Sequence, residues 1–134
     1  MFFTFPYQYG FIDNRRIPYP IIPIALATIR GVRTYGYIMD TGADTMTLPL
    51  YMMQLLGLNQ KKLRESSAQG VGDTLVKTYE TIIQVTLCKQ TLSVSCSFTD
   101  NDRTPFLLGK EGIFDHFNIT FDNDRQRTIF ETRG

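Results

Sequence analysis

Asp40, Thr41 and Gly42 stand directly after the apolar run Tyr37-Ile38-Met39. A hydrophobic strand that ends in a carboxylate carries a charge to the edge of a core. That is costly unless hydrogen bonds or charges support it. Thr41 offers a hydroxyl for a small network, and the Gly42 N–H can approach the carboxylate with no side chain in the way. Asp and Gly are also common turn formers, so the tripeptide alone is compatible with a simple strand-ending turn. Its surroundings favour chemistry. Leu107-Leu108-Gly109 reads as a short buried strand whose glycine lets another loop pass close above it. Between these elements lies a predicted hairpin tipped by Gly70 and Gly72, suited to fold over a cleft as a lid. A supported carboxylate on a cleft floor beneath a lid points to acid–base hydrolysis.

One carboxylate is not sufficient for that reaction. Two carboxylates ~3 Å apart cannot both ionise readily and share a proton. The ionised member then acts as base towards water, and the protonated member donates to the substrate carbonyl. No second Asp-Thr-Gly or Asp-Ser-Gly occurs in the chain. Asp44 follows too soon to mirror Asp40, and Asp73 sits on the expected lid. A two-fold homodimer supplies the missing group by setting Asp40 against Asp40 of a second copy.

The elements that must hold this site are mostly strands. The chain has 134 residues, enough for one domain with a single core. Thr, Ile, Val, Tyr and Phe recur throughout, favouring β structure. "PIIPIALATI", "RGVRT" and "YGYIM" read as strand, turn, strand, and "TMTL" as a further strand. "PLYMMQLLG" reads as a short helix, with Pro49 in its first turn, Gly57 at its C-cap and Leu50, Met53, Leu55 and Leu56 buried. "TIIQVTLC" and "TLSVSCSF" form a hairpin across Lys89-Gln90, which sets Cys88 opposite Thr91 and Cys96 opposite Ile83. "KEGIFDHF" reads as a second short helix, and "NITFD" pairs with "RTIFET". The expected fold is an all-β single domain, a closed or nearly closed barrel with two short helices.

Composition narrows the function. Fourteen basic residues face thirteen acidic ones, scattered without a stripe, so no nucleic-acid footprint is expected. The longest apolar run, "YPIIPIALATI", is too short and too rich in proline to span a bilayer. The aromatic start lacks the basic region of a signal peptide. A cytoplasmic protein with no membrane partner is the expectation. The hairpin register keeps Cys88 and Cys96 apart, and two free thiols fit a reducing compartment. With no C-x-x-C pattern and one histidine, His116, no metal or cofactor is expected. His116 and both cysteines read as structural.

"DTGAD" (40–44), "AQGVGDT" (68–74) and "FLLGKEG" (106–112), in that order, resemble the retropepsin-like aspartic proteases, single-domain relatives of retroviral proteases that act as homodimers. The likeness is strongest to bacterial members and runs from about Pro20 to Phe130. It implies an acid-protease domain over 20–134 preceded by an N-terminal extension, 1–19. By this resemblance Asp40 is the catalytic residue of a dyad that activates water, and Thr41 joins hydroxyl contacts between the two active-site loops. Gly42, Ala43 and Asp44 border the substrate cleft, with Asp44 placed to bind substrate backbone or an interface cation. Gly70, Val71 and Gly72 form the flap tip, while Leu108 and Gly109 support the loop from below. The implied activity is that of an endopeptidase taking an extended peptide or protein substrate. Ile38 and Val71 favour apolar groups beside the scissile bond.

The chain departs from retroviral relatives in places. Lys110 stands where they carry Arg, and it lacks the planar fork for bidentate pairing with a carboxylate such as Asp44. The segment "NITFDNDRQRTIFETR" is longer than the viral C-terminus, so the sheet joining the subunits is expected to be built differently. Two other readings remain open at this stage. One is a non-catalytic dimerisation or peptide-binding module on the same fold. The other is an unrelated β-barrel in which Asp40 caps a turn.

Overall fold

A computed structural model of the chain describes residues 1–69 and 75–133, without the side chains of residues 68 and 69. In chain order its strands are β1 (Phe2–Pro6), β2 (Gln8–Ile12), β3 (Arg15–Tyr19), β4 (Ile21–Thr28), β5 (Gly31–Met39) and β6 (Met46–Pro49). They continue as β7 (Arg64–Gln69), β8 (Leu75–Leu87), β9 (Gln90–Thr99), β10 (Leu107–Leu108), β11 (Phe117–Asp122) and β12 (Arg127–Thr132).

The larger sheet has the order β4-β5-β10-β6-β9-β8-β7. A further pairing of β4 with β8, through Ala25↔Thr86 and Leu26↔Val85, closes six of its strands into a ring. This is the expected barrel, with β7 added at the outer side of β8. Alternation fills it. Ile22, Ile24 and Leu26 point inward from β4, Met46 and Leu48 from β6, and Leu92, Val94, Cys96 and Phe98 from β9. All are buried, and each large apolar side chain so buried contributes roughly 1.5–3 kcal/mol. The proline-rich start of β4 is compatible with this pairing, because an edge-facing proline removes no ladder bond.

The sheet β1-β12-β11 carries the two ends of the described chain side by side. Phe117 and Phe130 are buried within it, their rings 5.3 Å apart and edge to face. Residues 1–19 are built into the fold: β1 pairs with β12 from Phe2↔Glu131 to Pro6↔Arg127. The β2–β3 hairpin turns at Asp13-Asn14, both at positive φ, a conformation these two residue types tolerate well. It is tied down beside β1 by Tyr7 N donating to Gln126 O at 2.8 Å and by the Tyr7 hydroxyl on Asn123 at 2.7 Å.

Two local expectations are corrected. The first concerns the helices. The expected early helix is the single turn α1 (Met52–Leu55), and Pro49 closes β6 instead of opening the helix. Gly57, at φ +71°, ends the turn as expected. A 3-10 turn also occupies Gln60–Lys62, with Asn59 as its cap. The second expected helix, over residues 110–117, is a run of turns held by Phe114 N on Lys110 O at 3.0 Å and His116 N on Ile113 O at 3.0 Å. Gly112, at φ +82°, breaks the helical path there, and its bare Cα lies against Ser93 O, where a Cβ would come within 2.6 Å.

The second correction concerns the β8–β9 turn. It falls on Cys88-Lys89, one residue earlier than expected, so Cys96 faces Thr81 and Cys88 leaves the ladder. Moving the turn by one residue shifts the pairing by two, which leaves every side chain on its original face. The apolar alternation therefore cannot choose between the two registers. Both thiols are free. Burial pushes Cys88 up to about 12 and raises Cys96 as well, so both are protonated and unreactive at neutral pH. No described helix is long and apolar enough to cross a membrane.

Candidate active site

β5 and β10 run parallel and in register, Leu107 beside Ile38 and Leu108 beside Met39. They deliver residues 40 and 109 to the same rim of the barrel. Asp40 is the first residue past β5, and its N–H donates to Leu108 O at 3.0 Å. The loop then folds back on the aspartate. Gly42 N donates to Asp40 Oδ1 at 2.9 Å, and Ala43 N to Asp40 O at 3.2 Å. A Cβ on Gly42 would stand 3.3 Å from Asp40 Oδ1, so glycine keeps this turn tight around the carboxylate.

The loop is seated from below on the segment after β10. Lys110 N donates to Ala43 O at 3.0 Å and Glu111 N to Asp44 O at 2.8 Å. Gly109 lies directly beneath Thr45, and a Cβ there would approach Thr45 O to 2.3 Å and Thr45 N to 2.8 Å. Only glycine fits such a backbone-to-backbone crossing. The crossing fixes the position of Asp40 relative to the barrel. Leu108, fully buried, anchors the strand under it.

Asp40 and Ala43 are half-buried, while Thr41, Gly42 and Asp44 are exposed. Lys110 Nζ reaches Asp44 Oδ1 at 3.1 Å. The lysine thus makes a contact with Asp44 despite lacking a guanidinium fork. Both partners stay well exposed, so the pair is worth at most about 1 kcal/mol. Asp40, Thr41, Gly42, Ala43, Asp44, Leu108 and Gly109 are all brought together at one rim. Gly70, Val71 and Gly72, the expected lid tip, lie outside the described residues.

Two participants escaped the sequence reading. Thr45 Oγ1 and Ser97 Oγ share a hydrogen bond of 2.9 Å, tying the end of the loop to β9, the strand that pairs with β6. Nothing local marks Ser97 for this, because 52 residues separate the pair. The other is β11. Its Phe117, Asn118, Ile119 and Phe121 line a groove of about 420 Å³ together with Thr41 and Phe114. A second pocket, about 410 Å³, opens on the other side of the loop between Asp44, Thr45, Arg64, Glu80, Ser95 and Glu111. Arg64 on β7 pairs there with Glu80 on β8, bracing the end of the β7–β8 ladder farthest from the expected lid tip.

A barrel rim that presents an Asp-Thr-Gly loop, crossed from beneath by a glycine, is an acid-protease arrangement. The aspartyl protease family model matches residues 25–111, a span that contains the whole loop, β7, β8 and Gly109. The chain belongs to the aspartyl protease family. Its fold is retropepsin-like: it is similar to the crystal structure of a retropepsin-like aspartic protease from Rickettsia conorii. That similarity has a TM-score of 0.68 at 16% sequence identity, over 96% of this chain and 98% of that one. No curated protein sequence matches the chain.

Proposed function

We propose that the protein is an aspartic endopeptidase whose catalytic centre forms when two copies bring their Asp40 side chains together. The observation that carries this reading is the half-site itself. One carboxylate is held at the rim by Gly42 N and by the backbone bond to Leu108, with Thr41 exposed beside it. Family membership supports proteolysis in general. The absence of a second Asp-Thr/Ser-Gly in the chain supports the dimer.

In the assembled site the dyad holds one proton, and its titration belongs to the pair. The ionised Asp40 removes a proton from water as the water oxygen attacks the scissile carbonyl carbon. The protonated Asp40 of the second copy donates to the carbonyl oxygen. The resulting tetrahedral diol collapses with proton transfer to the leaving amine, breaking the C–N bond. Thr41 holds the two loops together through its hydroxyl. Gly42, Ala43 and Asp44 border an extended peptide, which binds by main-chain hydrogen bonds. The lid tip, Gly70-Val71-Gly72, closes over that peptide, and Leu108 with Gly109 keeps the loop rigid beneath it. Ile38 favours apolar substrate side chains beside the scissile bond. The protease domain occupies 20–134, with 1–19 added to it as β1 and the β2–β3 hairpin, and its free thiols suit a cytoplasmic setting.

Peptide cleavage at mildly acidic pH, measured with oligomer mass for the native protein and Asp40→Asn, tests the reading. The variant should stay dimeric and lose activity on the order of 10³-fold or more. A native dimer that cleaves nothing over a range of substrates and pH would instead establish a non-catalytic module. Undiminished cleavage by Asp40→Asn would sink the mechanism.

A further inference from the structure

We propose that the β4–β5 turn docks on an anionic membrane surface. Ile29 and Val32 enter the boundary between headgroups and acyl chains, and Arg30 and Arg33 take lipid phosphates. The contact lies at the far end of the barrel from Asp40 and is independent of the catalytic reading. It departs from the expectation of no membrane partner, which rested on spanning segments and signal peptides. A peripheral contact needs neither.

The argument begins with exposed aliphatic side chains. Ile29, Val32 and Ile82 are 68%, 67% and 69% exposed, though each stands in or beside a strand of the barrel. Ile29 and Val32 flank the apex of the turn. Beyond Leu26↔Val85, strands β4 and β8 no longer pair, and a groove of about 220 Å³ opens between them. Ala27, Leu56, Leu58 and Ile82 line it, and no charged residue does. Gly57, between Leu56 and Leu58, lies against Ile29, whose Cγ2 would stand 3.3 Å from a Cβ there. Turn and groove therefore form one apolar surface, and a continuous patch of this kind marks an interaction site where single exposed side chains do not.

The turn is held in shape. Thr28 Oγ1 donates to Gly31 O at 2.6 Å and accepts from Arg30 N at 3.1 Å. Ile29 N donates to Leu55 O at 2.9 Å, which fastens the turn to the segment lining the groove. The apolar side chains are thus presented without the cost of ordering a loop.

Charge selects the occupant. From Asn14 to Met39 the chain carries no acidic residue. Neither Arg30 nor Arg33 forms a salt bridge among the described residues. Arg33 Nη1 donates to its neighbour Val32 O at 3.1 Å, and its other N–H groups remain for a partner. Glu80, two residues before Ile82 on β8, is already paired with Arg64. Guanidinium groups set among apolar side chains match a surface that offers phosphate above hydrocarbon. A fluid interface also yields around a protruding turn, whereas a folded partner would need a pocket shaped to it. β5 has nine residues, so the turn stands about 30 Å from Asp40.

Flotation with phosphatidylcholine vesicles, with and without phosphatidylserine and at low and high salt, tests the proposal. Native protein should float with the phosphatidylserine vesicles at low salt, come off at high salt and ignore phosphatidylcholine alone. Arg30→Gln/Arg33→Gln should bind roughly tenfold more weakly or worse. Ile29→Ser/Val32→Ser should lose at least as much. Both variants should keep native circular dichroism and cleave a soluble peptide as native protein does. Arg15→Gln/Arg16→Gln, on the β2–β3 hairpin that also exposes Phe11 and Ile12, should bind like native protein. Failure of native protein to float with anionic vesicles would overturn the proposal. So would normal binding by both turn variants together with its loss in the hairpin variant, which would move the contact to that hairpin. Oligomers seen by sedimentation without lipid, dissolved by Ile29→Ser/Val32→Ser and accompanied by no vesicle binding, would overturn it in favour of a second copy on this face. All three outcomes leave the Asp40 reading intact, since that reading fails only on cleavage.

Discussion

At the scale of single residues, the site depends on backbone crossings as much as on its carboxylate. Asp40 accepts from Gly42, and the loop carrying both rests on Gly109. Gly109→Ala would drive a methyl group into the Thr45 backbone, which cannot move aside as a flexible side chain would. We expect a loss of about 3 kcal/mol or more in denaturant unfolding. Any folded fraction should show a displaced loop and reduced cleavage. The Lys110–Asp44 pair contrasts with this. It sits in the same segment, but its exposure makes it a minor contributor to stability.

At the scale of elements, two turns decide how strands are fastened. The β8–β9 turn places Cys88 and Lys89 at φ +52° and +62°, a left-handed conformation that costs an L-residue roughly 1–2 kcal/mol. Lys89→Gly removes that strain and adds unfolded-state entropy worth roughly 0.5–1 kcal/mol. The net effect should be a small rise in melting temperature with cleavage unchanged. The β11–β12 turn is fastened by charge. Desolvation alone would raise the Asp122 pKa, but the Arg125 N–H, the Arg127 hydrogen bond and both guanidinium charges outweigh it. The carboxyl is held below its ordinary 3.8. A depressed carboxylate stabilises the fold above its unfolded pKa, and that contribution is lost as pH falls through the lower folded value. Asp122→Asn should therefore flatten the acid limb of the stability profile below about pH 4, seen as melting temperature against pH.

At the scale of the whole molecule, the barrel is complete within one chain and the proposed catalytic centre is not. Specific activity should therefore rise with protein concentration and level off once dimer dominates. A specific activity independent of concentration well below the dimer dissociation constant would point to a self-sufficient monomer. Much of this was legible in the sequence. The apolar run Pro20-Ile21-Ile22 onward announced a strand, and the Tyr37-Ile38-Met39 run ending in Asp40 announced a carboxylate carried to the edge of the core. Periodicity of two and turn chemistry are local properties, so they survive without any knowledge of the fold. The register at Cys88-Lys89 did not, since a shift of two residues preserves every face. Nor did the turns at Gly112, which stands at positive φ and lies against Ser93 on a distant strand. The Thr45–Ser97 bond and the pairing of β1 with β12 join positions far apart in the chain, and no local pattern encodes them. The sequence alone determined the strand-rich character, the single Asp-Thr-Gly and the glycines that let backbones cross. Tertiary structure alone decided which backbones cross and which sheet edge stays open, because those depend on closing the barrel in three dimensions.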